Sequence, residues 1–110
     1  MNYLTRTEEM LLLMVCKLGV EAYAMQIREE VKDLTGKLYS IGGIYVPLDR
    51  LVQKGMLKTQ DVGHDEERMG RPRRRFVITV EGATALREVR QFGDQMWDLP
   101  LPILKKLRLA

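Results

Sequence analysis

At 110 residues the chain is long enough for one small domain with an appended element, and a domain of this size often completes its core by pairing with a second copy. An apolar fraction of 45% and a charged fraction of 30% are ordinary for a globular protein, the net charge of +3 is only mildly basic, and no apolar run approaches the roughly 18 residues of a membrane span. One cysteine and one histidine exclude an intrachain disulfide and leave no metal-ligand spacing, so neither a disulfide scaffold nor a metalloenzyme fits.

The start Met1-Asn2-Tyr3-Leu4 has neither the basic start nor the cleavage site of a secretory signal, which predicts a cytoplasmic protein. Thr5 with Glu8 three residues on is a capping-box pattern, and it opens a first helix through Met10-Leu-Leu-Leu-Met-Val-Cys16. That run is apolar all round, so the helix is expected to be covered on two sides, the second by another subunit or by the C-terminal helix. Cys16 within it reads as a buried small hydrophobe. After the break at Gly19, Ala24, Ile27, Val31 and Leu34 mark the inner stripe of a second helix. Its outside carries Arg28, Glu29, Lys32 and Asp33, and Gly36 stops it.

Ser40 caps a third helix that ends near Gly55. Ile44, Leu48 and Leu51 fall on its inner side, and Gly42, Gly43, Val46, Asp49, Arg50 and Gln53 on its outer side. Two glycines there cost about 1 kcal/mol each in helix propensity, so something is expected to approach the backbone closely. The second and third helices form a helix-turn-helix candidate.

The segments Leu57 to Val62 and Arg73 to Thr79 are expected to be strands joined by a long polar loop, a wing. In that loop His64, Asp65, Glu66 and Glu67 give way to Arg68, Arg71, Arg73, Arg74 and Arg75. Thr79 caps a last helix running from near Val80 to about Asp98, where Leu99-Pro-Leu-Pro102 ends it. Along it Ala85, Val89, Phe92 and Met96 repeat at coiled-coil spacing, flanked by Leu86 and Trp97, and the remaining residues to Ala110 form an amphipathic turn or tail. The expected architecture is mainly α with a small β-hairpin wing (α+β). Residues 1–79 make a winged helix-turn-helix domain and residues 80–110 a dimerisation helix and tail.

Such a fold suits double-stranded DNA, with cations for phosphate and directed donors for base edges. If Phe76 and Ile78 face the core, Arg73 and Arg75 share the other strand face and are the phosphate or minor-groove candidates, with Arg74 beside them. On the third helix Ser40, Gly43, Tyr45, Arg50, Gln53 and Lys54 are the candidate contacts, Arg50 and Gln53 for base edges. Arg50 could equally form an ion pair with Asp49 or the second-helix acids, and Tyr45 could be packing support. Tyr23 stands as either packing or a phosphate contact. Met10, Met14, Ala85, Val89, Phe92 and Met96 are the candidate dimer interface. Phe92, Met96 and Trp97, with Met10 and Met14 of the first helix, could also line an apolar ligand space at its centre, the plain alternative being interface core.

At the residue level the chain resembles the PadR-like family of transcriptional regulators from about Thr5 to Trp97. The carriers are Tyr23-Ala-Met-Gln-Ile27 with Leu34-Thr-Gly36, Ser40-Ile-Gly-Gly-Ile-Tyr45, Leu48-Asp-Arg-Leu51, Lys54-Gly-Met-Leu57, the wing Gly70-Arg-Pro-Arg-Arg-Arg-Phe76, and Ile78-Thr-Val-Glu-Gly82. It departs from the family pattern at Pro47, Arg71 and Arg75. The resemblance implies a homodimeric regulator, usually a repressor, with the third helix in the major groove, the wing on the flanking backbone, and flat aromatic effectors at positions comparable to Phe92, Met96 and Trp97; two recognition helices are then expected to address half-sites about one helical turn apart, hence a palindromic operator. With one His and one Cys far apart in sequence, no metal-ligand spacing and no glycine-rich phosphate loop between a strand and a helix, no cofactor and no enzymatic activity are expected. The alternative from another class is a winged-helix module that binds a protein and not DNA.

Overall fold

The computed structural model describes residues 4–64 and 72–109. The part of the wing loop that turns from acidic to basic, 65–71 with Arg68 and Arg71, lies outside the described residues.

Helix α1 (Arg6–Leu18) begins at the expected capping box: the Thr5 hydroxyl accepts from the Glu8 amide at 3.1 Å, and the Glu8 carboxylate accepts from the Thr5 amide at 2.9 Å. A single 3₁₀ turn (Gly19–Glu21) leads to α2 (Ala24–Thr35), which stops at Gly36. Helix α3 (Ile41–Gln53) carries its inner stripe where the periodicity put it, with Ile44, Leu48 and Leu51 buried. Strands β1 (Leu57–His64) and β2 (Pro72–Ile78) pair antiparallel, Leu57 opposite Ile78 and Gln60 opposite Arg75, with a bulge between Val62 and His64. Helix α4 (Val80–Asp98) follows, and a short α5 (Leu101–Lys106) forms within the expected tail, with Pro102 in its first turn, where a missing N–H costs nothing.

One apolar core joins these elements. Leu11, Leu12 and Val15 of α1 meet Ala24, Ile27 and Val31 of α2, the α3 stripe, Leu57 of β1 and Phe76 of β2. Burying a side chain of this kind contributes about 1.5–3 kcal/mol, and the described residues include no buried charge. An unforeseen contact brings the hairpin to the helices. The Phe76 amide donates to the Ala22 carbonyl at 2.9 Å, and Tyr23 forms an isolated antiparallel bridge with Arg75. The link before α2 thus acts as a third strand beside β2.

Several expectations are corrected. Cys16 is exposed, because the buried face of α1 is limited to Leu11, Leu12, Met14 and Val15, and Leu13 on the opposite side is 50% exposed. Leu34 is also exposed, since the last turn of α2 runs past the edge of the core. Met14 and Ala85, expected at a dimer interface, are enclosed within the subunit's own core. The first turns of α4 therefore belong to the core, and only its later part projects.

Gly82 explains how α4 can lie so close. A Cβ at this position would collide with the Met56 carbonyl oxygen, a backbone atom that cannot swing aside. Gly82→Ala is therefore expected to destabilise the fold by about 2–3 kcal/mol, against the gain that alanine normally brings to a helix. Urea unfolding of the two chains at equal concentration measures the difference, and an unchanged midpoint would show that α4 docks elsewhere.

Candidate nucleic-acid interface

The exposed side of α3 is set by how its start is held. The Ser40 hydroxyl accepts from the Gly43 amide at 2.9 Å, and a Cβ on Gly43 would stand 3.0 Å from that same oxygen. The cap itself thus accounts for Gly43. Around Gly42 there is open space, which leaves its backbone approachable from outside. The linker before Ser40 is fixed by Arg28, whose Nε donates to the Tyr39 carbonyl at 2.6 Å. This corrects the placement of Arg28 on the outer face of α2. No sequence signal pointed to it, because its acceptor is a main-chain oxygen of a loop.

Tyr45, Asp49, Arg50 and Gln53 are exposed along the outer face of α3, with the apolar Ile41 and Val46 beside them. Among the described residues Arg50 has no ion-pair partner, so the pairing with Asp49 or the α2 acids does not form. It borders a small cleft with Thr5, Thr7 and Pro47. Lys54 differs from expectation. Its ammonium lies 2.5 Å from the Glu8 carboxylate, tying the end of α3 to the capping box of α1, so its charge is spent inside the subunit.

The described wing arginines, Arg73, Arg74 and Arg75, separate into three environments. The Arg73 guanidinium lies over the Tyr23 ring, 3.9 Å from its centre, a stacked arrangement that fixes both side chains. Arg74 is exposed and meets Asp61 at 3.4 Å, a surface pair of little energetic weight. Arg75 is turned into the scaffold, donating to Gln60 Oε1 at 2.5 Å and, at a long 3.4 Å, to the Val20 carbonyl. The register confirms that Arg73 and Arg75 share a strand face opposite to buried Phe76. Sharing that face does not leave Arg75 free, because the Ala22–Tyr23 link packs against it.

A separate groove of about 340 Å³ runs between the start of α1 and the outer half of α4, where Leu4 meets Val89, Phe92, Met96 and Trp97. Met10 and Met14, expected to share this space, do not line it; Met10 packs on the core instead. Charged side chains Arg6, Glu9, Arg90 and Asp94 rim the groove.

A helix-turn-helix with a two-stranded wing and a long C-terminal helix is the arrangement of a known family, and the family model of the transcriptional regulator PadR-like family matches residues 12–88. The chain belongs to the PadR-like family. Members are DNA-binding transcription regulators and not enzymes. Solved structures of the same fold include a PadR-like transcription factor from Bacteroides fragilis, 24% identical with a TM-score of 0.72 over 88% of each chain. A putative transcriptional regulator from Thermoplasma acidophilum is 17% identical, TM-score 0.62, over 89% of this chain and 97% of its own. A PadR-like regulator from Bacillus cereus is 19% identical, TM-score 0.57, over 90% and 93%. No curated protein sequence matches. Among the described residues no helix is long and apolar enough to cross a membrane.

Within this PadR-like frame the Glu8–Lys54 pair has a pH signature. Burial alone would raise the Glu8 carboxyl, but the Lys54 ammonium and the Thr5 amide outweigh it and hold the group below its ordinary value of 4.5. A carboxyl lowered in the folded state stabilises the fold above the unfolded-state value, and that contribution is lost as pH falls through the folded value. Glu8→Gln keeps the capping acceptor and removes the charge. It is expected to cost about 0.5 kcal/mol at pH 7, a modest figure because solvent screens the half-exposed lysine. The gap should close below pH 4.5 in unfolding curves taken across pH; a gap independent of pH would show that the ion pair contributes nothing.

Proposed function

We propose that the chain is a cytoplasmic, homodimeric repressor that places α3 in the major groove of a palindromic operator and the wing on the flanking backbone. Residues 1–79 would supply the DNA-binding part and residues 80–110 the dimerisation part. The observation that carries this reading is the unpartnered outer face of α3, with Arg50 and Gln53 exposed beside open backbone at Gly42. Arg50 suits a guanine edge and Gln53 an adenine edge, while Ile41 and Val46 offer apolar contact to thymine methyl groups. Ser40 and Tyr45 at the start of the helix, with Tyr23 and Arg73 stacked on each other, suit flanking phosphates, while the Gly43 amide is taken up by the Ser40 cap. Arg74 can leave its weak pair with Asp61 for the same task.

Dimer formation is supported by apolar surface that one subunit leaves open on α4 and beyond it, at Met96, Trp97, Leu99 and Ile103, with Val89 and Phe92 partly open. The groove bordered by Phe92, Met96 and Trp97 has the size and lining for a flat aromatic effector, whose binding would alter the spacing of the two recognition helices.

The test is binding to promoter-region DNA and to a scrambled duplex over a salt series. The repressor reading expects a preference of several kcal/mol for the promoter. Arg50→Ala should cost about 1–3 kcal/mol and relax specificity, and Arg73→Ala should weaken both duplexes alike and reduce the salt slope by about 1. Equal weak binding to both duplexes, unaffected by Arg50→Ala, would instead favour a protein-docking module.

A further inference from the structure

The linker between α2 and α3 carries a second basic cluster, outside the wing and outside the outer face of α3. Tyr39, the residue before the Ser40 cap, holds two cations at once. The Arg28 Nε donates to its carbonyl at 2.6 Å, and the Lys37 ammonium lies over its ring, 4.6 Å from the centre. We propose that Arg28 and Lys37 form a clamp for one DNA backbone phosphate at the entry of α3, which fixes the orientation of that helix on the duplex.

Three observations converge on a phosphate. Among the described residues neither cation has a carboxylate partner, and Glu30, an acid of the same helix as Arg28, is already paired with Lys17 at 2.6 Å. Two like charges gathered at one uncharged residue repel each other, and an anion beside them removes that cost. The Arg28 guanidinium has five N–H donors, of which the Tyr39 carbonyl takes one, so its terminal nitrogens are left for an acceptor with the geometry of a phosphate. Both side chains are already held by Tyr39 and lose little freedom on contact. Their place in the chain selects the DNA backbone over a soluble anion. Tyr39 directly precedes the cap of the helix that enters the groove, and the open space around Gly42 leaves that end of α3 approachable.

The clamp rests on the operator reading, so the wild-type chain tests that reading first. Full-length protein is titrated with promoter-region DNA and with a scrambled duplex over a salt series. Arg28→Gln and Lys37→Gln should each weaken both duplexes alike by roughly tenfold at low salt, and reduce the salt slope by about 1 for each subunit on the DNA. Arg28→Lys keeps the charge and should retain the slope. Ethylation of individual phosphates should reveal one beside the α3 contact whose modification weakens the wild type but adds nothing to the defect of Lys37→Gln. If Arg28→Gln disturbs the linker, Lys37→Gln decides, since Lys37 is exposed and its main-chain bond to Thr35 is kept. An unchanged salt slope in a folded Arg28→Gln or in Lys37→Gln, or a defect confined to the promoter, would overturn the clamp and leave the operator reading intact. A wild-type chain that binds both duplexes equally, or neither, would overturn the operator reading and the clamp with it.

Discussion

Thr79 is the joint on which the arrangement depends. Its hydroxyl accepts from the Gly82 amide at 3.0 Å and donates to the Gly55 carbonyl at 2.6 Å, while its own amide donates to the Met56 carbonyl at 3.2 Å. One residue therefore caps α4 and anchors it to the turn that ends α3 and begins β1. Because Gly82 lets the helix approach the Met56 carbonyl without a side chain between them, this is a backbone-to-backbone contact, which can hold an angle more firmly than flexible side chains. The orientation of α3 relative to α4 is fixed there. In a dimer built through α4, that angle would set the distance between two recognition helices, the quantity a palindromic site reads.

The polar contacts have a different task from the core. Apolar burial supplies most of the stabilisation, whereas Arg28 on the Tyr39 carbonyl, Lys54 on Glu8 and Lys17 on Glu30 mainly decide where the helices and their linkers rest. Each joins two elements, and none lies on the outer face of α3. That face is held from behind and left open in front.

Much of this was legible in the chain, for identifiable reasons. The caps at Thr5, Ser40 and Thr79 have local signatures, and all three hydrogen bonds form. The α3 stripe and the bounds of α4 follow from periodicity and from Leu99-Pro100. The misplaced residues are those whose surroundings come from distant segments. Cys16 and Leu34 lie in helices of the right period, yet the packing of distant segments leaves both exposed. Ala85 and Met14 fit a seam pattern equally well, but the joint at Gly82 draws that part of α4 onto its own core. The third strand-like pairing at Ala22 and Tyr23 left no trace in composition, because it consists of main-chain bonds.

The same distinction governs how a basic cluster is interpreted. Among the described cations of the wing and of the end of α3, Lys54 is committed to Glu8, Arg75 to Gln60 and Arg73 to the Tyr23 ring, while Arg74 is loosely held and Arg50 is unpaired. A guanidinium already stacked on an aromatic ring loses little side-chain freedom when it meets a phosphate, so in the proposed operator complex Arg73 would favour the backbone, while unpaired Arg50 would be left for a base edge. Arg75 satisfies neither condition on that surface. Its guanidinium is engaged by Gln60 Oε1 and, loosely, by the Val20 carbonyl, and charge count alone cannot separate those cases.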